Sequence, residues 1–518
     1  MEQIAIIYPG RPEIAENVRR LATPDGFERV DITIPARGNR AAAYQRAMAS
    51  SSARYKVYID EGIRVLDRDI LGRIIGAFQK HPGISLLGLS GTPQLSTSGL
   101  CISSAKHVGG LQRPDGQELF PVSAPPRVEE VEALDSWFLA TQRDVPWRSD
   151  LLRGTSFLGA SACCEHRRAG GRTAVLVLPE TACRLRTADL SMEQADQNAF
   201  LDEYSLELYP LVTICILTYQ RPDYFREALE SVLHQTYRNL DIFVTDDSAD
   251  DRTERLIQPY LADGRITYEH HPEFTRDDNW NRIRSYDNPA AEYVGWLMDD
   301  DRFLPEKIST MVDAYRTHPE VSLVTSYRYL IDGDGNRYPD DQQATVLTKE
   351  DRIIPGQEVG HIILGRVVNI IGEPSTVLLK KSFIENHRYE WIDIKSDYDF
   401  VDVPMWLNFL QKGSLYYLAK PLSEFRLHGN NEQRNPAMLA GMGICWAQLI
   451  EHAWQTRQYL QTEQDLAGAL RELVDKFLAG CLMDWFPSLP EETRRDFEAA
   501  MGRALLTLSK LPEAQAAE

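Results

Sequence analysis

The sequence predicts an α/β protein with mostly parallel sheets, and three observations carry that prediction. Apolar, β-branched runs alternate with segments whose apolar residues recur at helical spacing, most clearly from Leu211 to Asp301. Three of those runs end in polar or acidic residues: Thr218-Tyr219, Asp246-Asp247 and Asp299 to Asp301. A block from Tyr55 to Gly88 repeats the pattern of the block from Tyr293 to Thr325. Strands alternating with helices at this spacing build a parallel sheet with helices on both faces.

Each element has its own warrant. Leu211 to Leu217, "LVTICIL", is apolar throughout, as expected of a strand buried on both faces. Thr218 to Arg221 form a polar turn, and Pro222 opens a helix, where its missing N–H costs nothing. Phe225, Ala228, Leu229, Val232 and Leu233 then make one apolar stripe. "NLDIFVT" is the next strand and delivers Asp246 and Asp247. A helix around 252–261, a strand "ITYEHH", a helix after Asp277 and a strand "EYVGWLM" follow, the last delivering three aspartates. Ligands of open α/β sheets bind beyond the carboxyl ends of the strands, so the three polar ends mark one expected site. Adjacent carboxylates need a positive neutraliser, and oxygen ligands suit a hard divalent ion, Mn²⁺ or Mg²⁺, bridging carboxylate and diphosphate. A helix cap before "PEKISTMV" explains an isolated acidic triplet, but it leaves the other two strand ends unexplained.

Size and charge set the limits. At 518 residues the chain is long enough for two or three domains. Its 43% hydrophobic and 25% charged residues are those of an ordinary globular protein. No apolar run approaches the roughly 18 residues of a membrane span, and "MEQIAIIYPG" lacks the pattern of a secretory leader. A cytoplasmic location is therefore expected, with at most peripheral contact at the inner membrane face. The seven cysteines show no CxxC spacing and read as reduced core thiols. A net charge of −20 argues against nucleic acid or anionic lipid as the main partner.

"TICILTYQRPDYFREALESVLHQTY", "VTDDSADDRTE" and "EYVGWLMDDDRFLPEKI" follow one another in an order and spacing that resembles glycosyltransferase family 2, the inverting enzymes with a GT-A fold. The resemblance covers roughly residues 208 to 432. It implies that Thr218 and Tyr219 line the donor nucleotide, Tyr219 against the base, and that Asp247 accepts a hydrogen bond from the ring N–H. The favoured donor is a UDP- or dTDP-sugar. With Pro305 fixing the frame, Asp300 matches the metal-binding aspartate and Asp299 falls near the ribose or the metal. Met298 stands where many relatives have the first aspartate, so the share of metal binding among Asp299, Asp300 and Asp301 stays open. Arg276 is expected at the nucleotide or sugar, near Asn279 and Asn281, and Trp280 is expected in packing.

The second half of the resemblance implies the chemistry. In "DYDFVDVPMWLNFLQKG", Val403, Trp406, Leu407 and Leu410 give a helical apolar face. Asp402 stands four residues before Trp406, the family's position for the general base, while Val401 replaces the usual glutamate. Asp397 and Asp399 are the competing carboxylates. "LSEFRLHGNN" resembles the family's Arg-x-His ending: His428 is expected at the metal or diphosphate, and Arg426 at the strand or a phosphate.

The repeat is anchored by His81-Pro82 and His318-Pro319. It implies that the first 200 residues are a second GT-A-like domain, similar to the glycosyltransferase-like domains of the streptomycin-cluster type. Asp60 and Glu61 survive there, whereas Gly159 and Ser161 stand where that type carries acidic residues. This copy is expected to be degenerate, scaffolding its neighbour or binding acceptor. Near the C-terminus, Leu466, Leu470, Leu473, Val474, Phe477, Leu478 and Cys481 form a helical stripe that packs on its own protein, forms a homodimer or holds a protein acceptor.

The expected organisation is a degenerate GT-A-like domain (1–205), a catalytic GT-A domain (206–435) and a C-terminal helical region (436–518). The expected activity is metal-dependent inverting transfer of a sugar from a nucleoside diphosphate donor to a glycan, lipid-linked or protein acceptor. The alternative is a non-catalytic sugar-nucleotide or glycan-binding protein on the same fold. A nucleotidyltransferase needs a Gly-rich basic phosphate loop after the first strand, and "LTYQRPDY" lacks it.

Overall fold

The computed structural model describes residues 1–518 apart from 123–124, 188–191, 345, 387, 393–401, 429–435, 479–485 and 512–518. The chain divides into two compact units, Met1–Tyr209 and Pro210–Glu518.

In the first unit the strands β1 (Glu2–Pro9), β2 (Phe27–Ile34), β3 (Tyr55–Ile59), β4 (Ile63–Val65), β5 (Ile84–Gly88), β6 (Arg127–Glu130), β7 (Phe138–Thr141) and β8 (Arg172–Val177) are joined by helices that include α1 (Arg40–Ala49), α2 (Ile70–Lys80) and α3 (Leu158–Arg168). The main sheet has the order β2-β1-β3-β7-β5-β8-β6. β1 pairs in parallel with both β2 and β3, while β7 runs antiparallel to β3 and β5. The chain therefore leaves β1 first to one side and then to the other, and Asp60 follows β3 at that switch point.

The second unit is built on β9 (Leu211–Thr218), β10 (Leu240–Asp246), β11 (Ile266–His270), β12 (Ala291–Met298), β13 (Arg302–Phe303), β14 (Val321–Ile331), β15 (Arg352–Ile354), β16 (Val377–Lys380) and β17 (Ser414–Arg426). Its sheet has the order β11-β10-β9-β12-β16-β14-β17-β13, with β15 on β17. β9, β10, β11 and β12 are parallel, whereas β16 is antiparallel to β12 and β14, so the sheet is mixed rather than mostly parallel. The switch point lies between β9 and β12, and the acidic triplet follows β12.

The helices of this unit obey the sequence pattern. α4 (Pro222–Leu233) carries proline in its first turn and buries Phe225, Ala228, Leu229 and Val232. Each of the larger three contributes about 1.5–3 kcal/mol by leaving water. α5 (Arg276–Ser285) is closed by a capping box between Thr275 and Asp278, and α6 (Lys307–Thr317) follows β13. α7 (Asp402–Leu410) buries every residue from Val403 on. The C-terminal helices α8 (Pro436–Thr456), α9 (Glu463–Phe477) and α10 (Glu491–Lys510) share one core with the sheet. Leu466, Leu470 and Leu473 lie in that core together with Trp406, Leu449 and Phe497, so this part of the stripe packs on its own unit; Cys481 lies outside the described residues. Among the described residues, no helix is long and apolar enough to cross a membrane.

The repeat read from the sequence is a repeat of structure. In each unit an acidic strand end is followed by a very short strand, a helix, a His-Pro step and a strand: β3, β4, α2, β5 in the first, β12, β13, α6, β14 in the second. His81 and His318 each cap the C-terminus of their helix, with N–H bonds to Ala77 and Ala314.

Candidate active site

The carboxyl ends of β9, β10 and β12 converge through side-chain bonds. The Tyr219 N–H, at the end of β9, donates to Asp299 Oδ2 at 3.2 Å across the switch point. Gln220 is held in the left-handed region at φ 53°, and its N–H donates to Ser248 Oγ beyond β10 at 2.7 Å. A non-glycine residue in that region stores strain and needs such fixing. Tyr219 itself is 54% exposed, an open aromatic face at the mouth of the sheet. The Thr218 hydroxyl is buried beside the Asp299 carboxylate, whose charged form it favours.

Asp246 and Asp247 differ in what they face. Asp246 accepts from Ser248 N–H and the Tyr268 hydroxyl, both at 2.8 Å, and is internal. Asp247 accepts from Asn279 Nδ2 at 2.8 Å, and Asn279 in turn accepts from the Thr245 hydroxyl. Burial pushes Asp247 up to about 6, with Asp246 adding to the rise and Asn279 and Arg276 opposing it. Arg276, at the exposed start of α5, thus acts on Asp247 through its charge; Asn281 is exposed and Trp280 packs edge-on against Trp296 at 5.6 Å.

The three aspartates after β12 take three different roles. Asp299 is buried, and burial followed by the charge of Asp300 raises it well above the usual carboxylate range, against the pull of Arg221. Asp300 meets Arg221 Nη1 at 3.1 Å and His428 Nε2 at 3.0 Å, both on Oδ2. Asp301 turns into the protein, where Oδ1 accepts the Arg426 N–H at 3.1 Å. Among the described residues, no three His, Cys, Asp or Glu side chains converge as a closed metal cage. Asp300 and His428 meet at one edge and would offer two ligands, and a hard divalent ion on a diphosphate characteristically takes one or two protein ligands and completes its shell with phosphate oxygens and water. The residues present fit such an ion.

Arg426, expected at the strand or a phosphate, is placed at the strand. Its side chain is 0% exposed, with Nε donating to the Asp300 carbonyl at 2.8 Å, Nη1 to the Gly333 carbonyl at 3.0 Å and Nη2 paired with Glu227. It props the acidic tip from beneath. Its partner Glu227 is 38% exposed, so the enclosure is on the arginine's side alone.

Asp402 opens α7. Its Oδ2 accepts from Asn369 Nδ2 at 2.8 Å and its Oδ1 from Val403 N–H at 2.8 Å. Burial raises it to about 6, Glu373 adding to the rise. Asn369 also receives the N–H groups of Ile371 and Gly372, and the Trp406 indole donates to the Gly372 carbonyl at 3.2 Å. One loop, 372–376, therefore touches both halves: the Met298 N–H donates to Ser375 Oγ at 3.1 Å, and the charge of Glu373 acts on both Asp301 and Asp402. Asp397 and Asp399 lie outside the described residues.

Arg221 and Asn369 had no role assigned from sequence. Arg221 lies in the quoted turn "TYQRPDY", where a cation opposite three aspartates was a usable signal. Asn369 stands 33 residues before its partner and gives no local sign.

This arrangement, a switch-point crevice with an acidic tip and a separate buried carboxylate, is that of a nucleotide-sugar transferase of GT-A type. The family comparisons agree. Residues 12–204 match a glycosyltransferase-like family and residues 213–370 match glycosyl transferase family 2, so the chain carries a glycosyltransferase-like domain and a family 2 domain in tandem. The second match ends before Asp402, Arg426 and His428, whose placement rests on the geometry above. Protein CgeD of Bacillus subtilis is 32% identical over 128 residues, 23% of this chain and 30% of that protein. The GalNAc(5)-diNAcBac-PP-undecaprenol beta-1,3-glucosyltransferase of Campylobacter jejuni is 25% identical over 42% of this chain and 65% of its own length. The chain thus spans less than two thirds of either relative. A structure of S. aureus TarS with UDP-GlcNAc superposes with a TM-score of 0.42 at 14% identity, over 57% of this chain and 81% of that one.

Proposed function

We propose that the second unit is a metal-dependent inverting glycosyltransferase that moves a sugar from a uridine or thymidine diphosphate donor to a hydroxyl of a glycan, lipid-linked or protein acceptor. What supports this most is the meeting, at one switch point, of Tyr219, Asp299 and the Asp300–His428 edge, with Asp402 tied to the same place by loop 372–376. The similarity to an enzyme named for an undecaprenol-linked substrate favours a lipid-linked acceptor among the three.

The residues divide the work. Tyr219 lies against the base and Asp247 accepts its ring N–H. Asp300 and His428 would hold Mn²⁺ or Mg²⁺, which would offset the charge that develops on the departing diphosphate. Asp402 takes the proton from the acceptor hydroxyl as that oxygen bonds to the anomeric carbon, and the bond to the diphosphate breaks with its electron pair leaving on the phosphate. A carboxylate raised to about 6 remains ionised at neutral pH and is a stronger base than an ordinary aspartate. Asn369 fixes its orientation.

The test is a thermal-shift titration of the full chain with UDP- and dTDP-sugars, with and without Mn²⁺, beside Asp300→Ala. A ligand held by the native state raises the melting temperature. The expected result is a rise that needs Mn²⁺ and disappears in Asp300→Ala; an equal rise in both proteins, or none with any donor, overturns the assignment.

A further inference from the structure

Arg221 stands in the turn "TYQRPDY", between β9 and the start of α4. Its backbone is pinned on both sides. The Tyr219 and Gln220 N–H groups donate to Asp299 and Ser248, and the Arg221 carbonyl accepts from the Phe225 N–H at 2.9 Å. The side chain is freer: it is 33% exposed and lies across the acidic tip, with Nη1 3.5 Å from Asp299 Oδ1 and 3.1 Å from Asp300 Oδ2. The helix does not hold it there, because a cation at a helix N-terminus meets the positive end of the dipole. The aspartates do.

One oxygen carries two of these contacts. Asp300 Oδ2 receives both Arg221 Nη1 and, at 3.0 Å, His428 Nε2, so an ion held between Asp300 and His428 would use the oxygen that Arg221 occupies. Such an ion lies about 2.0–2.1 Å from its oxygen ligands if it is Mg²⁺. It and the guanidinium would then crowd two positive charges onto one carboxylate oxygen, and like charges that close repel. Arg426 does not compete for this place, since its side chain is turned onto the Asp300 and Gly333 carbonyls and Glu227. The exchange is between Arg221 and the ion.

The balance of that exchange depends on what else is bound. A partly exposed ion pair is easily traded for water, but a small divalent ion dehydrates reluctantly and gains few protein ligands here. A diphosphate supplies the ion with further oxygens, and it offers the freed guanidinium an anion in place of Asp300.

We propose that Arg221 is the resting occupant of the acidic tip, a built-in cation that keeps Mn²⁺ or Mg²⁺ off Asp300 until a nucleoside diphosphate brings the ion with it. This rests on the reading that Asp300 holds the ion. Metal and nucleotide then bind synergistically, each raising the affinity of the other by the same factor. Taking the charge from Arg221 relaxes the requirement for nucleotide.

Mn²⁺ binding to the full chain, followed by the electron paramagnetic resonance of the free ion with and without UDP, tests this. Without UDP, Arg221→Gln should bind Mn²⁺ about tenfold more tightly than the parent, a coupling of ordinary size, while Arg221→Lys, which keeps the charge, should gain far less. The gain should vanish when Asp300→Ala is added to Arg221→Gln. Arg221→Met replaces the glutamine variant should that one lose its near-ultraviolet dichroism. A neutral variant that binds Mn²⁺ no better than the parent, a gain as large in Arg221→Lys, or a gain that survives Asp300→Ala overturns the inference; the proposed function then stands as long as the parent binds Mn²⁺ with UDP. No Mn²⁺ binding by any of these proteins, even with UDP, overturns both.

Discussion

The two units end a central strand in acid, and they neutralise that acid differently. After β3, Asp60 and Glu61 face Arg40, whose side chain is 6% exposed, at 3.6 and 3.3 Å. After β12, Asp299 and Asp300 face Arg221, 33% exposed, at 3.5 and 3.1 Å, with His428 on Asp300 as well. A buried guanidinium cannot leave without stranding a charge, whereas one at the surface exchanges its partner for water at small cost. The acid of the first unit is thus held by an internal cation, and that of the second by one that can give way to another. The second motif diverges as sharply: Asp402 sits partly buried at the head of α7, while Gly159 is packed against backbone. One fold type holds both, and the two units differ in the residues at their strand ends and helix starts.

The largest test of this contrast is Asp402→Asn. The side chain keeps its shape and loses its ability to take a proton, and general-base removal costs on the order of 10²–10⁴-fold in rate. We expect turnover of a UDP- or dTDP-sugar to fall by that factor, with the Mn²⁺-dependent thermal shift by donor retained. Transfer that persists undiminished places the base elsewhere and removes the contrast between the units; a wild-type chain that binds donor without any transfer supports the non-catalytic alternative.

Next in size is the attempt to restore the missing carboxylate. Gly159→Asp forces a Cβ to within 2.2 Å of the Leu134 oxygen, with further contacts to the Asp135 backbone. Backbone has to move and a carboxylate has to be buried, so the loss of stability is expected to be about 3 kcal/mol or more. Denaturant unfolding should show the first unit weakened and no second transferase activity gained. A variant as stable as the parent shows that α3 is free to shift and that the first unit is closer to an active form than its packing indicates.

How much of this was legible depends on the range of each signal. Apolar runs marked the strands and their acidic ends, because burial on both faces dictates them locally. The helical face of Val403, Trp406, Leu407 and Leu410 was readable for the same reason, whereas Asp402 stood out only through the family resemblance. Strand direction was not: "VLLK" looks identical whether β16 runs parallel or antiparallel to β12. Arg426 left strand and phosphate open, since its enclosure by Glu227, Asp300 and Gly333 spans 93 to 199 residues of sequence. The stripe of α9 announced a buried face without naming what covers it, and the core shared with Trp406 is again a long-range fact. Gly159 announced a missing carboxylate; that no side chain fits there is visible only in three dimensions.

The smallest effect, and the one that ties the site to solution conditions, is the acid limb. Burial raises Asp402 to about 6, and Asp247 to about 6 for the same first reason. The proposed reaction needs each ionised, Asp402 to accept the hydroxyl proton and Asp247 to accept the ring N–H. Turnover at subsaturating donor should therefore fall about tenfold per pH unit below roughly 6, steepening where both titrate together. Stability runs the other way. A carboxylate whose folded value exceeds its unfolded one contributes stability that is fully present below the unfolded value and is lost as pH rises through about 6, because the native state binds more protons across that window. Asp402→Asn deletes this contribution, so the fall in unfolding free energy between about pH 4 and 6 should be shallower in the variant than in the parent. Urea melts of the two proteins at several pH values measure the difference directly. Parallel curves would mean that Asp402 is ordinary in its proton affinity, and then its selection as the base would rest on position alone.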